Sequence, residues 1–222
     1  MQARTRRTRR LLGGGIAIVM AIGLGAFHTG AALAAPSSNC TDQLLNAERT
    51  LDIPRGLLLS IALVESGQDG APQSYAVGVR GRSIYSANAA RASSYLRDRR
   101  GNVRTNVTAG CMQLSVTHHR ENFRPLERIL DPEANVMYAA RFLKRLRAEE
   151  GNWGRAVARY QGGTHTQQRD YVCKVWQRLT ELDGKSAELM PVGARCNRGE
   201  AVAIAPETRR AFHQSQVAQL PE

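Results

Sequence analysis

Apolar residues recur along most of this chain at helical spacing, and alternating stretches are confined to one short region. Across residues 41–51, Leu44, Leu45, Ala47, Glu48 and Leu51 fall on one side of a helix. A turn at Asp52-Ile53 follows, and Pro54 suits the first position of the next helix. The body of that helix, Leu57-Leu58-Leu59-Ser60-Ile61-Ala62-Leu63-Val64, is apolar almost all the way round, which predicts a buried central helix ended by Gly67. Residues 68–110 are rich in Gly, Ser and Arg, with alternating pieces at 75–79 and 103–107 that predict a small sheet or extended loops. Residues 88–99 between them read as a modest surface helix. Asp131 as N-cap, Pro132 in the first turn and Gly151 past the end frame a long helix whose core stripe is Val136, Ala139, Ala140, Leu143 and Leu146. Two more helices are predicted, over 153–160 and over 169–182, the second with Val172, Val175, Trp176 and Leu179 on one face. Residues 183–222 are a Pro, Ala, Gly and polar mixture that buries little, and they read as a largely irregular tail.

The N-terminus changes the picture. Five arginines and no acid precede the apolar residues 11–26, small residues follow, and Ala32-Leu33-Ala34 offers a cleavage signal before Ala35. Residues 1–34 therefore read as a signal peptide, too short and glycine-rich for a membrane span, so no stable membrane insertion is expected after its removal. Thr8-Arg9-Arg10-Leu11-Leu12 resembles a twin-arginine signal and leaves the export route open. Removing the leader with its five arginines lowers the net charge from +12 to +7 and leaves 188 of 222 residues, enough for one domain. A basic surface suits several anionic polymers, and export argues against nucleic acid. The expected location is the periplasm or the exterior. There, the even number of cysteines, Cys40, Cys111, Cys173 and Cys196, favours two disulfides. Three connectivities satisfy four cysteines. Cys40 with Cys111 and Cys173 with Cys196 is preferred because the second pair would tie the tail to the last helix. No metal-ligand spacing is present, and neither a metal nor a cofactor is expected.

Glu65 is the most informative single residue. It closes an apolar helix at the end where the partial negative charge of the helix dipole disfavours a carboxylate. Apolar walls there would raise its pKa and keep it protonated near neutrality, able to donate to a leaving oxygen. The alternative is a solvated glutamate at a frayed helix end, and on this residue alone the two readings stand level. Other candidates have ordinary explanations. His118 and His119 are adjacent and point about 100° apart on a helix, Trp153 and Trp176 suit core packing, and Asp69 just past the helix suits a turn.

Three further segments break the tie. Ile61-Ala62-Leu63-Val64-Glu65-Ser66-Gly67, Gly110-Cys111-Met112-Gln113-Leu114, and Ala158-Arg159-Tyr160-Gln161-Gly162-Gly163 followed by Asp170-Tyr171-Val172 occur in this order across residues 40–180. Together they resemble the soluble lytic transglycosylase family, with its Glu-Ser, G-x-M-Q and A-x-Y-N-x-G motifs and later tyrosine. The resemblance implies a mainly α, α+β lysozyme-like fold of the goose-lysozyme kind over residues 35–182, with a small β or loop insertion flanking a cleft for alternating N-acetylglucosamine (GlcNAc) and N-acetylmuramic acid (MurNAc). It implies Glu65 as the catalytic residue. It places Ser66 beside it to hold geometry or polar substrate groups, Met112 and Gln113 along the cleft, and Tyr160, Gln161 and Tyr171 as further substrate-binding residues. Tyr171 would reach the carboxyl or the sugar. Two positions depart from the family pattern: Cys111 stands where leucine is common, and Gln161 where asparagine is usual, a longer amide by about one methylene.

The resemblance also implies a reaction. A retaining glycosidase needs a second carboxylate about 5 Å from the first, and an inverting one about 6.5 to 9.5 Å away; no second candidate stands out. The implied enzyme is a peptidoglycan lytic transglycosylase that uses one glutamate to cut the MurNAc-GlcNAc β-1,4 bond and leave a 1,6-anhydro end. The rival readings are a hydrolytic muramidase on the same fold and a non-catalytic peptidoglycan-binding module for a secretion or flagellar assembly. The expected partner is the peptidoglycan glycan strand, with a cell-envelope assembly as a further candidate, and the chain is expected to act as a monomer.

Overall fold

A helix with no polar face has to be surrounded, and that requirement organises the chain. The computed structural model describes residues 39–191, 196 and 203–217; the leader read over residues 1–34 lies outside the described residues. Helix α2 (Leu57–Glu65) has Leu57, Leu58, Leu59 and Ile61 entirely buried, and each such side chain contributes about 1.5–3 kcal/mol on leaving water. Helices α1 (Cys40–Thr50) and α7 (His165–Leu182) pack against it. Helix α5 (Pro132–Glu150) lies against α1 and against α6 (Trp153–Gln161), and α6 packs on α7.

The polypeptide leaves α2 through a short hairpin, β1 (Gly67–Gln68) and β2 (Ala71–Pro72), turned by Asp69 and Gly70 with positive φ at both. Gly67 is required for space: a Cβ there would lie 2.2 Å from the Leu63 carbonyl oxygen. A four-stranded antiparallel sheet follows, ordered β4-β3-β5-β6, from β3 (Ala76–Val79), β4 (Arg82–Tyr85), β5 (Val107–Ala109) and β6 (Leu114–Ser115). Val77 pairs with Ile84 on one side and Ala109 on the other. Helices α3 (Ala89–Ser93) and α4 (Val116–His119) and two 3-10 turns, Arg120–Asn122 and Leu126–Leu130, complete the region between α2 and α5. This is the expected mainly α, α+β lysozyme-like architecture.

Several boundaries follow from the caps. Asp131 accepts from the Ala134 amide, Pro132 opens α5 and Gly151 closes it, as its sequence requires. Helix α7 begins four residues before the predicted 169, because Thr164 and Gln167 form a capping box. Helix α2 begins at Leu57 rather than Pro54. Its N-terminus is capped from α1: the buried Glu48 carboxyl accepts from Gly56 N at 2.7 Å and Leu59 N at 3.0 Å. The helix expected over 88–99 stops at Ser93, where the Ser93 and Ser94 hydroxyls donate back to the Ala90 and Arg91 carbonyls and compete with the helical pattern. Leu96 then turns into the core and Arg97 pairs with Val103.

Both expected disulfides form, Cys40–Cys111 and Cys173–Cys196. The tail differs from its sequence reading. Residues 183–222 include α8 (Gly184–Glu188), capped by Asp183, and α9 (Pro206–Val217). Phe212 of α9 is fully buried, its ring under the Arg55 guanidinium with 3.6 Å to the centroid, while Arg55 Nη2 donates to the Phe212 carbonyl at 2.7 Å. Ile204, Ala205, Thr208 and Phe212 form a short inward stripe, too sparse in large apolar residues to stand out in a polar segment. Truncating Phe212→Ala should lower the unfolding free energy by about 3 kcal/mol in urea titrations. An unchanged midpoint would show that α9 is not part of the cooperative fold.

Candidate active site

Glu65 is the last residue of α2, half-buried, with its carboxyl enclosed by neighbouring side chains. Burial pushes its pKa up to about 7, against the opposing effect of a hydrogen bond from Tyr171. Neither cause is a second carboxylate. Tyr171, buried on α7, donates its hydroxyl to Glu65 Oε1 at 2.6 Å. That bond occupies one oxygen and leaves Oε2 to carry the proton. Tyr160, from α6, lies close enough to feel the same charge. Both phenols are held well above their ordinary range, by burial first and by Glu65 second, so both remain hydrogen-bond donors.

The Gly110-Cys111-Met112-Gln113 segment faces the end of α2 and is tethered residue by residue. The Ser66 hydroxyl donates to the Cys111 carbonyl at 2.7 Å. The Tyr160 hydroxyl donates to the Met112 carbonyl at 2.8 Å, and the Met112 amide donates to Asn135 Oδ1 at 2.9 Å. Asn135, completely buried on α5, also donates to the Ala109 and Ile129 carbonyls. Gly110 has φ 80° and packs so tightly that a Cβ would stand 2.4 Å from Asn135 Nδ2. Gln113 adopts φ 44°; its amide donates to the Ala76 and Gly110 carbonyls, and its Oε1 accepts from Thr108.

A model for the transglycosylase SLT domain matches residues 43–174, which span both ends of this arrangement. The chain belongs to the transglycosylase SLT domain family. No curated protein and no solved structure matches the chain. The family carries a peptidoglycan-cleaving function of the transglycosylase type, with peptidoglycan as substrate, outside the cytoplasm. Two disulfides fit export, and among the described residues no helix is long and apolar enough to cross a membrane.

Within this SLT domain the sequence-derived residues divide by position. Glu65, Tyr171 and Tyr160 converge. Ser66 is 1% exposed and Met112 is fully buried, so both side chains pack into the interior beside Glu65. Gln113 is partly buried and tied at both ends of its amide. Gln161 ends α6 and is exposed, away from these tethers. Asp69 sits in the hairpin turn, as its type suggested. Trp153 and Trp176 pack against the core. His119 bonds through Nδ1 to the Tyr138 hydroxyl at 2.9 Å and packs on Phe142, and burial pushes its pKa down. Asn135 was missed; its signal was a polar residue at an inward register of α5, directly before Val136.

The Tyr171 bond favours the ionised form of Glu65. Removing it with Tyr171→Phe should move the alkaline limb of the kcat/KM profile on cell-wall substrate upward by about one pH unit. A limb that stays in place or moves down would separate the limb from Glu65.

Proposed function

We propose that the chain is a lytic transglycosylase that cuts the MurNAc-GlcNAc β-1,4 bond and leaves a 1,6-anhydro-MurNAc end, with Glu65 as the only acid and base. The observation that carries this reading is a carboxyl raised to about 7 by burial, held by one tyrosine and perturbed by no other carboxylate. A proton on Oε2 passes to the glycosidic oxygen as the C1–O bond breaks. The departing GlcNAc leaves as an alcohol, and the substrate's own N-acetyl oxygen holds the positive charge at C1. Glu65, now a carboxylate, takes the proton from the MurNAc C6 hydroxyl, whose oxygen closes on C1. Glu65 regains its proton and no water is consumed. Tyr171 steadies the carboxylate at the intermediate stage, when the charge is fully developed. Residues 1–34 serve as the export signal in this reading, and the enzyme works in the periplasm or outside the cell.

Mass spectrometry of wall digested by the purified protein should show anhydro-muramoyl ends. Reducing muramoyl ends instead would assign a hydrolytic muramidase. Glu65→Gln should abolish release in the same assay, and full activity of that variant would falsify the assignment.

The same substitution has a signature in stability. The folded chain holds the Glu65 proton more tightly than the unfolded chain, so the stabilisation linked to it is complete below about 4.5 and is lost as pH rises through about 7. Glu65→Gln cannot ionise. Its melting temperature should match that of the parent at pH 4.5 and exceed it by several degrees at pH 8. Equal melts at both pH values would mean that the carboxyl is solvated.

A further inference from the structure

Helix α2 is held at both ends by a segment that lies beyond residues 43–174, the span matched to the SLT domain. At its C-terminal end the chain leaves Glu65 through Ser66 and enters the β1–β2 hairpin. Three carbonyls along this exit are engaged: that of Ser66 by the Gln73 amide at 3.2 Å, that of Gly67 by the Tyr85 hydroxyl at 3.1 Å, and that of Gly70 by the Ala205 amide at 2.9 Å. The last of these donors belongs to the C-terminal segment. Its backbone lies flat against the hairpin turn, since a Cβ on Gly70 would stand 2.5 Å from the Ala205 nitrogen and 2.9 Å from the Ala203 carbonyl oxygen. Ile204 and Ala205 are buried.

The other anchor is at the N-terminal end of α2. Helix α9 delivers Phe212 to Gly56, the N-cap of α2, where an added Cβ would meet the Phe212 ring and Leu179 at 3.2 Å each. Arg55 secures the same point by stacking on the Phe212 ring, donating to its carbonyl and pairing with Asp183. Between the anchors, Arg209 donates to the Glu181 carbonyl and pairs with its carboxylate. The lengths agree: a helix rises about 10 Å from Ala205 to Phe212, and α2 rises about 12 Å from Leu57 to Glu65. Helix α9, packed against α1, thus bridges the two ends of α2 in the reverse direction.

The Phe212 anchor buries apolar surface. The Ala205–Gly70 contact is of another kind, a single backbone hydrogen bond that replaces one to water and so adds direction more than stability. What it sets is the place of the turn, and with it the path by which the backbone leaves the last residue of α2. We propose that residues 203–212 are a positioning element of the active site, a clamp that fixes the β1–β2 hairpin and thereby the placement of the Glu65 side chain. The proposal rests on the catalytic reading of Glu65 for its effect on turnover. Ala205 and Phe212 touch no substrate in it and act through Gly70 and Gly56.

Two glycines separate the clamp from backbone strain. The turns Asp69-Gly70 and Arg80-Gly81 have nearly the same shape, with φ 51° and 79° in the first and 52° and 75° in the second. A Cβ on Gly81, however, meets nothing within 4 Å. Gly70→Ala and Gly81→Ala therefore carry the same strain, and only the first displaces the tail. The Glu65 carboxyl is titrated by carbon-13 NMR in the intact chain, and turnover is measured on cell wall. Gly70→Ala should titrate about one pH unit below the parent and lose about tenfold in kcat at unchanged KM, while Gly81→Ala behaves as the parent. Phe212→Ala, which frees the far anchor and leaves the hairpin untouched, should move both readouts the same way. Parental titration and kcat in Gly70→Ala and Phe212→Ala, or equal losses in the two glycine variants, overturn the proposal. A titration shift confined to Gly70→Ala and Phe212→Ala, in a protein whose parent does not cut wall, would leave the clamp standing and sink the catalytic reading of Glu65.

Discussion

Burial of the C-terminal end of α2 sets the free energy of one proton, and the rest of the molecule serves that burial. Leu57 through Leu63 leave no polar face, so the helix is enclosed by α1, α7 and the β1–β2 hairpin, and the carboxyl at its end is carried into the low-dielectric interior with it. The two glutamates at the ends of the helix illustrate how burial and hydrogen bonding compete. Glu48, at the N-terminal end, is deeper and is compensated by backbone amides and by Arg55, yet burial still lifts it to about 7. Glu65 is lifted to a similar value by burial, with a single phenol opposing the rise. One carboxyl is spent on holding the helix in place. The other makes its side-chain hydrogen bond through Oε1 to Tyr171.

The segment opposite Glu65 works by backbone position. Cys111, Met112 and Gln113 are each tied to a different part of the fold: α1 through the disulfide, α2 through Ser66, α6 through Tyr160, α5 through Asn135, and the sheet through Thr108 and Ala76. The positive φ at Gly110 and Gln113 is sustained by these ties. The motif residues of this segment are held in place by backbone and side-chain ties to the surrounding elements.

That contrast marks what was legible in the chain. Glu65 could be found because its type conflicts with its local setting, an acid on an apolar helix at the unfavourable end. The physical cause of its raised pKa was read correctly as apolar surroundings. Its tyrosine partner, 106 residues away, was reached only through the family resemblance. Helix α5 was legible because cap, proline and glycine all lie within the segment itself. The start of α2 was not, since its cap comes from Glu48 on another helix. The same holds for Ser66 and Met112: their chemistry is visible in the sequence, but the direction in which each side chain points depends on contacts with distant segments. Helix α9 was lost for a different reason, because a single phenylalanine between polar neighbours carries its packing.

The disulfides add stability to the elements that enclose the carboxyl. Cys40–Cys111 spans 71 residues and Cys173–Cys196 spans 23, which on the chain-entropy account stabilise the fold by about 4 and about 3 kcal/mol. Their positions matter as much as their magnitudes. The first fixes the residue whose carbonyl receives Ser66, next to the end of α2; the second sits two residues beyond Tyr171, on the helix that supplies the phenol. Both crosslinks thus brace segments that pack around the Glu65–Tyr171 pair.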